Sequence, residues 1–334
     1  MPTVSVIVPC YNEQWTIGLL LDALYAQTFP RAEMEVIIAD GRSQDGTRAA
    51  ITAFQRAHTD LCVYIVDNPD RTIPAALNHA LAAAAGEFIV RLDAHSMPRP
   101  DYVARCLAAL QAGSGDNVGG VWDIPPRTPR WAARSIAAAA AHPLGVGDAL
   151  YRYAERPQAV DTVPFGAFRR TLIADIGPFD ETLLTNEDYE FNTRVRLAGG
   201  RVWLDPAIRS TYFARASFGA LARQYWRYGF WKLRMLRRYP QSIRWRQAAP
   251  PLFVFLLLLL GLLAIFFPAA RILLSLQLGF YAALLLAAGV YSAWRRRTAD
   301  LALGVALAIA VMHLSWGAGF LWSLVSSAFP GRAA

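Results

Sequence analysis

The sequence predicts an α/β domain built on a mostly parallel sheet, followed by a helical membrane region. Three observations lead there. Short apolar or β-branched runs alternate with helical patterns over residues 4–93. Each of these runs stops at a polar loop. Residues 252–325 hold three long apolar runs with almost no charge. Alternating strand and helix implies parallel pairing with right-handed crossovers, and apolar runs of this length are spans for a bilayer core of about 30 Å.

The elements follow in order. Val4–Val8 is a β-branched strand that ends in the loop Pro9–Glu13. A helix over about Gln14–Ala26 places Ile17, Leu20, Leu21 and Leu24 on one face. Glu35–Ala39 is the second strand, and the turn-rich loop Asp40–Thr47 opens the next helix. Cys62–Val66 is the third strand, Pro74–Ala85 an Ala-rich helix, and Phe88–Asp93 the fourth strand. The loops after the first, second and fourth strands all open on one sheet edge, where nucleotides bind in such folds. No G-x-G-x-x-G or Walker lysine is present, which argues against a dinucleotide fold or a P-loop.

The stretch Phe88–His95 is the centre of the chain's chemistry. Asp93 and His95 are two residues apart, so in extended chain they point the same way. A carboxylate and an imidazole facing one point are a donor pair for a divalent cation that would hold substrate phosphates. An ordinary Asp turn after a strand accounts for the same residues equally well. Asp40 is in the same position: it suits a ribose or a nucleobase edge, and equally the capping of its own loop.

Beyond His95 come a helix (Pro100–Gln111) and a short strand (Gly119–Ile124), then residues 125–161, to which no role is assigned. Pro164–Phe168 and Gly177–Glu181 read as loops. The acidic cluster Thr185–Glu190 opens a helix marked by Tyr189, Phe191, Val195 and Leu197. Acids at a helix start are favoured by its dipole; one of them could equally serve as a general base.

Charge is distributed unevenly. From Ser217 onward 13 basic residues face one acid, Asp300, whereas 20 basic residues face 24 acids before it, a net of −4. Positive charge beside apolar runs points to a membrane surface and not to nucleic acid. Phe218–Tyr239 interleaves Tyr225, Trp226, Tyr228, Phe230 and Trp231 with Arg and Lys, as an interfacial helix does. Trp226, Trp231 and Lys232 are expected to hold it at headgroup depth.

Spans are expected at Leu252–Ala270, Ile272–Trp294 and Leu301–Val325. Basic residues 234–246 precede the first span and Arg295–Arg297 follow the second, so both clusters and the N-terminal domain belong on the cytoplasmic face. Arg271 then flanks the outer side and Arg332 lies outside. No signal-peptide pattern opens the chain. The expected location is therefore the cell (inner) membrane, multi-pass. The three cysteines, Cys10, Cys62 and Cys106, show neither metal spacing nor a disulfide framework. The expected division is a domain over 1–216, interfacial helices over 217–250 and a membrane domain over 251–334.

Six motifs in order resemble the family 2 glycosyltransferases. They are Val6-Ile-Val-Pro9-Cys-Tyr11-Asn-Glu13, Asp40–Thr47, Asp93-Ala-His95, Gly177–Glu181, Glu187-Asp188 and Gln224-Tyr-Trp-Arg227-Tyr228. The resemblance implies a GT-A fold, Rossmann-like with a mostly parallel sheet, and is closest in kind to the membrane-bound succinoglycan-type enzymes of exopolysaccharide biosynthesis. It implies transfer, with inversion, from a nucleotide diphosphate sugar, a UDP-sugar above all, to a polyprenyl lipid-linked acceptor at a membrane. Pro9, Tyr11, Glu13 and Asp40 would hold the nucleoside, with Arg71 a further contact. Asp93 and His95 would stand in for the family's Asp-x-Asp, Asp188 would be the base, and Glu187, Gln224, Arg227 and Tyr228 would serve the acceptor and diphosphate side. The resemblance thus implies a divalent cation, and imidazole in place of the usual second Asp favours manganese over magnesium. Tyr228 replaces the family's Trp. Two other readings stand beside this one: a polyprenyl-phosphate glycosyltransferase and a non-catalytic membrane partner in polysaccharide assembly.

Overall fold

The computed structural model describes residues 2–328, so Arg332 lies outside the described residues. The chain divides into two compact units, residues 1–123 with 150–212 and residues 124–149 with 213–334.

The first unit is built on β1 (Val4–Cys10), β2 (Met34–Asp40), β3 (Cys62–Asp67), β4 (Phe88–Arg91), β5 (Met97–Pro98), β6 (Asn117–Asp123), β7 (Gln158–Ala159), β8 (Ala167–Arg169) and β9 (Val202–Thr211). The sheet runs β3-β2-β1-β4-β8-β6-β9-β5, with β7 also on β9. The expected parallel arrangement is present from β3 to β4. Beyond β4 the sheet is mixed, because β8 pairs antiparallel with both β4 and β6 while β6 and β9 are parallel. The two- and three-residue strands that create this mixture are too short for any periodic signal.

Helices cover both faces, as buried parallel strands require. One face of β1 and β2 packs with α1 (Ile17–Tyr25), α2 (Thr47–Ala57) and, further along the sheet, α4 (Tyr102–Gln111). The other face, with Ile7, Ile37 and Ile89, packs with α3 (Ile73–Ala83) and later Phe191 and Val195. The start of α1 at Ile17 instead of about Gln14 has a local cause: the N–H groups of Thr16 and Ile17 both bond to the Glu13 carbonyl, closing a turn first. Pro9 sits inside central β1 without loss, since β4's register ends opposite Ile7.

The second unit gathers α5 (Trp131–Ala140) and α6 (Pro143–Val146), formed by part of the segment that carries no sequence signal, with the C-terminal helices. After α7 (Leu172–Ile176) and α8 (Glu187–Leu197) of the first unit come α9 (Phe218–Arg238), α10 (Trp245–Leu263), α11 (Pro268–Arg296) and α12 (Leu301–Ser327). The last three are each long and apolar enough to cross a membrane. Their boundaries correct one expectation: the run Leu252–Ala270 is not one helix, because α10 stops at Leu263 and Pro268 opens α11. Arg271 Nε donates to the Ala264 carbonyl at 2.7 Å and so caps the end of α10. Pro251 has no N–H for the Gln247 carbonyl, and Trp316 Nε1 on α12 supplies the donor at 3.3 Å. Of the three helices α12 is the most enclosed, with 44% of its apolar window buried against 17% for each of the others. Lys232 is a second correction. It does not reach outward from α9 but is buried in the unit, its Nζ 3.5 Å from Met235 Sδ.

Candidate active site

The carboxyl ends of β1, β2 and β3 lie in one row, with Cys10 opposite Asp40 and Asp40 opposite Asp67. The loops that leave them are laced together. The N–H of Asn12 donates to Ser43 Oγ (2.8 Å), that of Glu13 to Thr47 Oγ1 (2.8 Å) and that of Gln14 to Asp45 Oδ2 (3.2 Å). Asn12 and Arg42 hold positive φ to make this possible. The exposed Tyr11 ring lies over Gly41, where an added Cβ would come within 3.1 Å of the ring. The Arg71 guanidinium stands 5.9 Å from the same ring's centroid. Tyr11 and Arg71, far apart in sequence, therefore meet.

Asp40 is wholly buried, and its carboxylate receives Ser43 N–H (3.1 Å), Ser43 Oγ (2.5 Å) and Arg48 Nε (2.5 Å). That geometry is the loop-capping arrangement. Arg42 and Arg48, in that order, hold the Asp67 carboxyl below its usual range. Burial first, and then Asp40, push the Cys10 thiol up, so Cys10 is no thiolate nucleophile.

The Asp93–His95 stretch departs from expectation. β4 ends at Arg91, and Asp93–Ser96 is a turn in which the Asp93 carbonyl accepts Ser96 N–H (2.9 Å) and Ser96 Oγ (2.7 Å). Strand alternation therefore does not orient the pair. His95 Nδ1 lies 3.1 Å from Glu13 Oε1, while Asp93 Oδ1 accepts from Arg91 at 2.9 Å. Among the described residues no three His, Cys, Asp or Glu side chains group closely enough to hold a metal. One carboxylate and one imidazole, both partly exposed, nevertheless fit a cation that takes its remaining ligands from substrate oxygens and water.

Arg91 is the residue that sequence reasoning missed. It is 2% exposed, and besides Asp93 it reaches Glu187 Oε1 at 3.0 Å and the Asp188 carboxylate. Glu187 and Asp188 form the first turn of α8 as expected. The signal was there: a lone arginine inside a run otherwise apolar enough to be buried needs acidic partners. The Phe165 ring, at positive φ, lies 5.8 Å from the Arg91 guanidinium. The Gly177–Glu181 loop is positioned from two sides, by Asn78 on the backbone of Phe179 (2.9 Å each way) and by Arg194 on the Gly177 carbonyl (2.9 Å). Gln224, Arg227 and Tyr228 stand on α9 in the second unit, where Gln224 Nε2 donates to Tyr228 Oη at 2.9 Å.

Residues 5–177 match the model of Glycosyl transferase family 2. The chain belongs to this family. It is 30% identical over 324 residues to the succinoglycan biosynthesis protein ExoA of Rhizobium meliloti, covering 94% of this chain and 93% of that one. It is 28% identical over 272 residues, 80% of this chain and 84% of the relative, to a dolichyl N-acetyl-alpha-D-glucosaminyl phosphate 3-beta-D-2,3-diacetamido-2,3-dideoxy-beta-D-glucuronosyltransferase of Methanococcus voltae. Among solved structures, the mannosyltransferase PcManGT of Pyrobaculum calidifontis, in complex with GDP-Man and Mn2+, aligns over 99% of this chain and 88% of its own with a TM-score of 0.60 at 23% identity. The fold is thus that of GT-A glycosyltransferases, and this glycosyltransferase has relatives in exopolysaccharide and lipid-linked glycan synthesis.

Proposed function

We propose that this glycosyltransferase moves a sugar from a nucleotide diphosphate sugar, UDP-linked, to a hydroxyl of a polyprenyl lipid-linked saccharide, with inversion at the anomeric carbon. The observation that carries the reading is the meeting of Asp93 at the strand edge with Glu187 and Asp188 through Arg91. It supports a proton acceptor close to the edge proposed for the donor diphosphate. Tyr11 and Arg71 offer a ring and a cation to the nucleoside. Asp93 and His95 would hold a divalent cation, Mn2+ or Mg2+, which when bound would stabilise charge on the departing diphosphate.

In this mechanism the acceptor oxygen bonds to the anomeric carbon from one face while the bond to the diphosphate oxygen breaks on the other. The nucleotide leaves with that electron pair. Asp188, paired with Arg91, takes the hydroxyl proton on its carboxylate. Gln224 and Arg227 are assigned to the acceptor and its diphosphate, and Tyr228 to a stacking surface. Long apolar helices and a relative named for a dolichyl-linked substrate support a lipid acceptor. The basic residues that flank α10 and α11 support a catalytic unit on the cytoplasmic face.

The test is incubation of membranes containing the protein with a panel of radiolabelled nucleotide sugars and thin-layer analysis of the lipids. A labelled lipid-linked saccharide is expected with wild type and its loss with Asp188→Asn. Full activity in that variant would point to an acceptor already anionic, a lipid phosphate. No labelled lipid from any sugar would leave the assembly-partner reading standing.

A further inference from the structure

Arg91 lies at the end of β4, its side chain almost fully enclosed, and three carboxylates from two distant segments converge on it. Two belong to the first turn of α8, whose N-cap residue, Asn186, has positive φ and makes no side-chain capping hydrogen bond to that turn. The third belongs to the turn that carries Asp93 and His95. The backbone N–H of Arg91 also donates to the Gly166 carbonyl at 3.0 Å, beside the Phe165 ring. One planar guanidinium therefore meets both the Asp93 turn and the first turn of α8, while the backbone N–H of the same residue holds the Gly166 carbonyl.

We propose that Arg91 is a positioning residue: its guanidinium fixes the first turn of α8 against the Asp93 turn, so that the Asp188 carboxylate is held in register with the donor. This rests on the reading of Asp188 as the base. A planar fork can bridge several carboxylates at fixed angles, whereas a lysine ammonium is a point charge on a flexible stem. Neutralising buried acids alone would need only the charge. Holding a register needs the fork.

The experiment compares Arg91→Lys, Asp188→Asn and the double variant as purified full chain, with kcat expressed per UDP-binding site to normalise for folding. Arg91→Lys is expected to lower kcat about 100-fold, as small misplacements do, with donor KM changed far less. In the Asp188→Asn background the lysine substitution should cause no further loss, since a residue that acts through Asp188 has nothing left to position. Multiplicative losses, or a rise in donor KM with kcat retained, would overturn the proposal. Near-normal turnover by Asp188→Asn alone would instead sink the base assignment, a separate outcome. Should Arg91→Lys fail to fold, Glu187→Gln gives the same cycle. It removes one anionic partner of Arg91, and its smaller kcat loss must likewise vanish in the Asp188→Asn background.

Discussion

Asn192→Ala tests how α8 is held in place. Asn192 is 1% exposed; its Nδ2 donates to Thr162 Oγ1 (3.0 Å) and to the Val163 carbonyl (2.9 Å), and its Oδ1 accepts from Asn117 Nδ2 at 2.6 Å. Alanine removes all three bonds and strands the buried Asn117 amide. A typical net hydrogen bond contributes about 1 kcal/mol and a buried group left unsatisfied costs about 1–3 kcal/mol, so a loss of about 3 kcal/mol is expected. For a unit of this size that corresponds to a fall in Tm of about 6–12 °C. The assay is thermal unfolding of the detergent-purified full chain followed by tryptophan fluorescence. Activity should fall as well, because Thr162 and Val163 lead into the loop whose Gly166 carbonyl receives Arg91. Asn192→Asp should recover little, since a carboxylate keeps the acceptor for Asn117 but faces the Val163 carbonyl with no proton to donate. A Tm indistinguishable from wild type for Asn192→Ala would refute the reasoning and mean that the other anchors of α8, among them Phe191 stacked on Phe179 at 4.7 Å, suffice without Asn192.

Three further outcomes are expected. Asp93→Ala should abolish transfer while the membrane-inserted protein stays folded, read by the lipid-labelling assay beside a thermal melt; near-normal turnover would misplace the cation site. With His95 as a ligand, manganese should support activity at least as well as magnesium, and His95→Asp should move the preference towards magnesium in a metal titration; identical metal profiles would remove His95 from the cation site and leave it a role in ordering its loop. Arg227→Ala should reduce transfer strongly and hydrolysis of the nucleotide sugar by water much less, without release from membranes, and equal losses would reassign Arg227 to the donor diphosphate.

The parallel half of the sheet was legible because β1, β2 and β4 are buried along their whole length and so write mostly apolar runs, as Val4–Val8 does; edge strand β3, with Tyr64 exposed, was legible from its β-branched residues. The mixed half was not, since Ala167–Arg169 and Met97–Pro98 owe their pairing to neighbours and not to any pattern of their own. Glu187 and Asp188 were legible from position, as acids at a helix start. Asp93 was found for a reason the structure does not support: it lies in a turn, not on an alternating strand. The Ala-rich segment 131–140 was illegible because alanine marks neither face of a helix. Its packing becomes evident in the structure, where Ile136 and Ala137–Ala139 share a core with residues of α12 and Ser135 approaches Gly304 at a distance that leaves no room for a Cβ there. Pro268 shows the limit of hydropathy, which reports apolar length and is blind to a helix break inside it.

Charge ties the site together. At the carboxyl ends of β2 and β3, the edge proposed for the donor, Arg42 and Arg48 face Asp40 and Asp67, two cations against two acids. Around Arg91 the balance differs, with one cation against Asp93, Glu187 and Asp188, and Glu13 adds a fourth acid next to His95. Bringing a nucleotide diphosphate to this edge sets its negative charge against that surplus. Two like charges 4 Å apart repel by about 4 kcal/mol at an effective dielectric constant near 20, so each close oxygen–carboxylate approach is of consequence. Tyr11 carries no charge, and the Arg71 cation stands against the Tyr11 ring and is proposed to face the nucleoside. A divalent cation held by Asp93 and His95 would offset the surplus. Arg91 would keep Glu187 and Asp188 against the Asp93 turn while that cation is bound, which is the register the positioning proposal requires.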